Sequence, residues 1–265
     1  MSVSAPIRYK VPDFDPLIKR LQEIRSHLIL DYDRIERLLP NALTGNEKLK
    51  GFSEDARLTG IAHLIRLVDC TLLSFTLMND NLLPPGNKWW DAVRTQPLDS
   101  FNNSHRSMTV NTFNNAFIKF GFLHKLFSTI ENTSRLILRA LDPTASNNAT
   151  SSIYSVWQEL FPRLTAQAPN SADLLTLLRL TRNTIHNNGV YVSKQQQDEH
   201  VTYEGTIYDF THMKPINFVN WTFLIERLDD VRELLVSIVS DATVIGIPNP
   251  ILDPFATNRT VLPSP

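Results

Sequence analysis

Apolar residues recur at intervals of three and four along most of this chain, the spacing of helices that bury one face. Phe14, Leu17, Ile18, Leu21, Ile24, Leu28, Tyr32, Ile35 and Leu39 make one such stripe, which Pro40 ends. A second starts behind Ser53-Glu54-Asp55, a capping side chain followed by acids, and runs through Leu58, Ile61, Ile65, Val68, Leu72 and Phe75 to about Leu83. Together they predict an antiparallel helical hairpin. Pro84-Pro85-Gly86 breaks the pattern, and a polar, Asn-rich connection follows to about His105, with Trp89-Trp90 expected as a plug over one end of the core.

A third long helix is expected from about Thr109 to Leu141, its core face formed by Phe113, Phe117, Phe120, Leu123, Phe127, Ile130, Ile137 and Leu141. Glu131 and Arg135, four apart, predict a surface ion pair. Asp142-Pro143 stops the helix, a small, polar loop covers Thr144 to Ser152, and a short helix spans Ile153 to Leu160 with Tyr154, Trp157 and Leu160 on its buried side. Asn170 or Ser171 caps the next helix, whose core face is Leu174, Leu178, Thr181 and Ile185. Asn187-Asn188-Gly189 closes it, because Gly and Asn accept the left-handed conformation of a helix stop.

After Gly189 the period falls to two. Val190-Tyr191-Val192, Val201-Thr202-Tyr203 and Thr206 to Phe210 read as a small sheet or hairpin, with the turn at Glu204-Gly205. Asn217 is expected to cap a last long helix that points Phe218, Trp221, Ile225, Leu228, Leu235 and Ile238 inward, and the proline-containing stretch 243–265 reads as an irregular tail. The predicted fold is all-α: a single domain over 1–242, a bundle of five to six helices with a β-hairpin insertion at about 190–211 before the last helix.

Charge and composition narrow the function. With 26 basic and 27 acidic residues the net charge is -1, so no global field draws the chain to nucleic acid, and any RNA contact must come from a local basic patch. Cys70, the single cysteine, allows no disulfide within the chain and reads as a small buried hydrophobe. The N-terminus has no apolar core of a signal peptide, and no run of about 18 uninterrupted apolar residues appears. A cytoplasmic protein without membrane contact is expected. Eight glycines and no glycine-rich phosphate loop argue against a nucleotide-cradling fold. His63, His124, His186, His200 and His212 show no metal-ligand spacing, so no metal and no cofactor is expected.

The helix that ends at His186 carries the chemistry. At about 100° per residue, Arg179, Arg182 and His186 share a stripe rotated roughly 100° from the core face. Guanidinium forks hold phosphate oxygens bidentately, and an imidazole exchanges protons near neutral pH, a combination suited to metal-independent RNA cleavage. Basic residues in a last helical turn are also favoured by the helix dipole alone, which leaves a capping role open for the same side chains.

Arg182-Asn183-Thr184-Ile185-His186-Asn187-Asn188-Gly189 resembles the motif of HEPN proteins, helical domains found in toxin-antitoxin and phage-defence ribonucleases, in which an Arg followed by a polar residue precedes a His on one helix. The similarity covers roughly 109–192, with Phe127 to Leu138 like the family helix packed beside the motif. The family leaves about four to six residues between Arg and His. Here three separate Arg182 from His186, whereas Arg179 leaves six but is followed by Leu180. The resemblance implies a homodimer with motifs facing across a cleft, RNA as substrate, and an antitoxin or other protein partner. It assigns proton transfer to His186, phosphate charge to Arg182 and Arg179, and orientation to Asn183. The alternative is a non-catalytic module that binds a protein through the Arg/His flank or the Trp89-Trp90 loop.

Overall fold

A computed structural model of the chain describes residues 13–39, 55–82, 103–145, 152–166 and 170–253. Trp89-Trp90 and the tail beyond 253 lie outside these residues. The fold is all-α, with one two-stranded antiparallel sheet ahead of the last helices.

Helix α1 (Asp15–Leu38) and helix α2 (Ala56–Leu77, continued by a π segment, Met78–Leu82) form the expected antiparallel hairpin. Phe14 lies 4.8 Å from Phe75 between ring centroids, and Arg25 Nε lies 2.5 Å from Asp69 Oδ1 farther along the pair. Asp55 is the cap of α2, its side chain accepting from the backbone N–H of Arg57 at 2.9 Å. By length and composition Ala56–Asp80 is apolar enough to cross a membrane, with a mean hydropathy of 1.5. In this fold it is the central helix, packed on α1 and on two later helices.

The third long helix differs from expectation. It begins at Asn103 as α3 (Asn103–Thr112), passes through a π segment (Phe113–Ile118) and continues as α4 (Lys119–Leu141). A π segment holds more residues per turn than an α-helix, so the phase of the apolar stripe slips across it. Leu123, Phe127 and Ile130 therefore stay buried, while Phe117 and Phe120, expected in the core, are 66% and 37% exposed. The slip also turns Asn114 inward, where its Oδ1 accepts from Trp221 Nε1 at 2.9 Å.

Helix α5 (Ile153–Leu160) buries Ile153, Val156, Trp157 and Leu160, and helix α6 (Ser171–His186) follows. The sheet pairs β1 (Glu199–Tyr203) with β2 (Thr206–Phe210) in the register Glu199↔Phe210 to Tyr203↔Thr206. Glu204 and Gly205 form the turn with φ of 49° and 76°. Val190 to Val192 are not part of this sheet. Their backbone bonds the 213–216 loop instead, through Met213 N to Tyr191 O and Tyr191 N to Lys214 O at 2.8 and 3.0 Å.

Helix α7 (Trp221–Val239) is capped by Asn220, not Asn217: Asn220 Oδ1 accepts from Phe223 N at 2.9 Å. Phe218 thus precedes the helix and packs among Tyr208, Phe210 and Phe223. Two ion pairs join α1 to α7, Asp31 with Arg232 at 2.8 Å and Arg20 with Asp229 at 2.7 Å. Cys70 is exposed, because Leu67, Val68 and Thr71 take the buried side of its turn. The tail is irregular after the short helix α8 (Ala242–Ile245), yet residues 246–253 fold back on the start of α2.

Gly60 marks a close approach between α2 and its neighbours α4 and α7. A Cβ there would meet Thr133 Oγ1 at 2.6 Å and Leu235 Cδ2 at 3.3 Å. Overpacking costs about 1–3 kcal/mol, against about 1 kcal/mol gained in helix propensity. Gly60→Ala is expected to lower stability by a net ~1 kcal/mol, read from the denaturant midpoint.

Candidate functional cleft

Helix α6 is buried on a wide face by Leu174, Leu175, Leu177, Leu178, Leu180, Thr181 and Thr184. What remains is a narrow strip in which Arg179 and Arg182 are half-buried and Asn183 and His186 exposed. Asn187 closes the helix, its N–H donating to Asn183 O and Thr184 O, and Asn188 and Gly189 take the left-handed conformation at φ of 56° and 80°. The expected stop is the observed one.

Opposite this strip, Phe127, Glu131 and Arg135 project from α4 at successive four-residue steps, and Ser152, Ile153 and Tyr154 approach from the start of α5. With Arg179, Arg182 and Asn183 they enclose an open cleft of about 540 Å³. Arg135 Nη2 and Nε both donate to Glu131 Oε1, at 2.8 and 3.2 Å, so the cleft's one carboxylate is engaged. Arg182 lies with its guanidinium carbon 5.0 Å from the centre of the Phe127 ring, which is itself fixed edge-on to Trp157. The cation is held over a rigid surface.

Among the described residues, no carboxylate pairs with Arg179 or Arg182, and the Nε groups of both are buried without a hydrogen-bond partner. A buried donor without an acceptor costs about 1–3 kcal/mol. Both residues also line the open cleft, where a guanidinium suits an anion with oxygens. Three guanidiniums against one carboxylate give the local basic patch that a net charge of -1 otherwise denies.

His186 stands apart. It does not line the cleft, and the helical rise places it about 6 Å along the axis beyond Arg182. Its ring meets Phe120 edge-on with 5.4 Å between centroids and lies 6.2 Å from His124. Loss of water against these neighbours lowers its pKa from the ordinary histidine value, and the positive charges of Arg182 and His124 lower it further. These neighbours favour the neutral imidazole, the form that accepts a proton. Because Arg182 opposes the protonated form, Arg182→Gln is expected to raise the His186 titration midpoint, and both midpoints should fall at or below the usual 6.5 when followed by NMR.

Of the four residues assigned from the sequence, Arg179, Arg182 and Asn183 meet in the cleft, and His186 sits at its adjacent end. Phe127, Glu131, Arg135 and Tyr154 were not assigned there. The first three share one face of a helix by spacing alone, a signal present in the sequence. Tyr154 was expected in the core with Trp157. Ile153, Val156, Trp157 and Leu160 already complete the i, i+3, i+4, i+7 set, which leaves Tyr154 outward at 51% exposure.

Past the helix stop, Tyr191 donates its hydroxyl to Glu199, tying β1 to the end of α6. Burial, then the Glu199 carboxylate, pushes the Tyr191 pKa up to about 12, so it stays a neutral donor. Among the described residues no three His, Cys, Asp or Glu side chains gather as a metal site. No family model matches the chain, and no curated protein or solved structure matches it.

Proposed function

We propose that this chain is an HEPN-like, RNA-directed protein that cleaves RNA without a metal ion, in a defence or toxin-antitoxin setting. The observation that carries the reading is the pair of arginines, Arg179 and Arg182, that line one open cleft with no carboxylate partner among the described residues, next to a histidine whose pKa is lowered. In the reaction, the 2'-hydroxyl gives its proton to His186 and its oxygen bonds the adjacent phosphorus. The P–O5' bond breaks and the leaving oxygen takes up a proton, which protonated imidazole returns. Arg182 and Arg179 carry the charge that grows on the phosphoryl oxygens, and Asn183 orients them. A homodimer with the two α6 strips face to face extends the same basic surface, and an antitoxin or other protein partner fits this setting.

A second reading, a non-catalytic module that binds a protein partner, is favoured by one observation: His186 lies outside the cleft lining, against Phe120. Incubation of purified protein with mixed RNA in EDTA separates the two. The wild type is expected to produce fragments ending in 2',3'-cyclic phosphate, and His186→Ala and Arg182→Ala are expected not to. Equal cleavage by all three removes the site assignment, and no cleavage by the wild type across salt and pH supports the module.

A further inference from the structure

We propose that the cleft between α4, α5 and α6 takes one unpaired nucleotide of an RNA strand, its base stacked on Tyr154 and its phosphate held by Arg179 and Arg182. The inference rests on the RNA-directed reading and adds to it the form of the substrate and the residue that selects it.

Size is the first ground. About 540 Å³ lies within the range of about 300–1,000 Å³ typical of small-ligand sites, so the cleft admits a nucleotide and not a helix. An A-form duplex keeps its bases stacked inside and presents a major groove too narrow for side chains, leaving only phosphates and sugars within reach. A duplex would rest on the rim.

Chemistry is the second ground. The α6 wall supplies two guanidiniums, Arg179 and Arg182, that no carboxylate among the described residues pairs with, which answers a phosphate. The α5 wall supplies Tyr154, an aromatic ring that packing leaves outward at the cleft edge although the same helix buries Trp157 completely enough to anchor Phe127. An aromatic face and a cationic wall across one small cleft are the two parts that single-strand recognition uses: stacking for the base and charge for the backbone. Glu131 does not oppose the phosphate, because Arg135 occupies its carboxylate.

The test uses the full chain with His186→Ala, so that bound RNA is not cut. Fluorescence anisotropy is measured with a short labelled oligouridylate and with a duplex of equal length. The single strand is expected to bind more tightly than the duplex. Tyr154→Leu should weaken it about tenfold, equivalent to ~1.4 kcal/mol, while Tyr154→Phe stays within about twofold. Because Tyr154 is outward, the thermal midpoint of both variants serves as a folding control. Single-strand affinity unchanged by Tyr154→Leu, or duplex bound as tightly as single strand, overturns this proposal and leaves the RNA reading intact. Displacement of the oligonucleotide by an equal concentration of uridine monophosphate overturns the assignment to a strand. Absence of binding to either RNA overturns the RNA reading itself.

Discussion

Arg57→Ala will lower the free energy of unfolding by about 3–5 kcal/mol. Arg57 is 2% exposed at the first turn of α2, and every donor of its guanidinium is engaged. Nε and Nη2 reach the two oxygens of Asp55 at 2.9 and 2.6 Å; Nη1 donates to Val244 O and Ile247 O, both at 3.1 Å, and Nη2 to Asn249 O at 3.3 Å. Alanine would take from the buried Asp55 carboxylate its cation, leaving it the backbone N–H of residue 57, and would take from three carbonyls the guanidinium donors they accept from. The same loss should loosen the chain after α8, where Ala56 N to Ile251 O at 2.7 Å and Thr59 Oγ1 to Asp253 Oδ2 at 2.9 Å are among the contacts that remain. Chemical denaturation measures the first effect, and faster proteolytic nicking in 246–253 the second. Arg25→Ala is the control. Its pair with Asp69 is close to half exposed on both sides, and such pairs contribute about 0–1 kcal/mol. A loss at Arg57 no larger than that at Arg25 would mean the tail is not clasped by charge.

That clasp also shows where reading from sequence reaches its limit. Helical periodicity located α1, α2, α5, α6 and α7 to within a few residues, since each buries one stripe and repeats every 3.6 residues. The segment 243–253 carries no period, and its bonds reach back nearly 190 positions or more, to Arg57, Ala56 and Thr59. Partnership at that separation leaves no local trace. The exposed Phe117 and Phe120 fail for a related reason: the π segment breaks a spacing that, read as an unbroken α-helix, puts both in the core. The candidate site was legible where it lay on one helix, and Arg179, Arg182 and Asn183 do converge. Its second wall was legible only as a neighbouring helix, Phe127 to Leu138, because Glu131 and Arg135 satisfy the ordinary four-residue pairing rule and do not by themselves announce a cleft.

If the chain cleaves RNA as proposed, His186→Ala is expected to slow cleavage by about 10²–10⁴-fold, the contribution of a positioned general acid–base group. The expectation follows from the separation between the two parts of the site. Arg179, Arg182 and Asn183 line the cleft and His186 does not, so removing the imidazole should leave RNA affinity within about twofold while the chemical step falls. Arg182 should behave differently. Arg182→Lys keeps the charge but loses the planar fork and its fit over Phe127, and removing one aimed donor costs about 10²–10³-fold in other phosphate and oxyanion sites. Its affinity should fall together with its rate, because the same donors meet ground-state phosphate and the transition state. Single-turnover rates in EDTA beside binding isotherms separate the two patterns. A His186→Ala protein that cuts at the wild-type rate would reduce His186 to a helix-terminal cap, whose favourable charge its lowered pKa works against. One that loses binding and rate equally would place His186 against the substrate's ground state, and the proton transfer would then belong to another group.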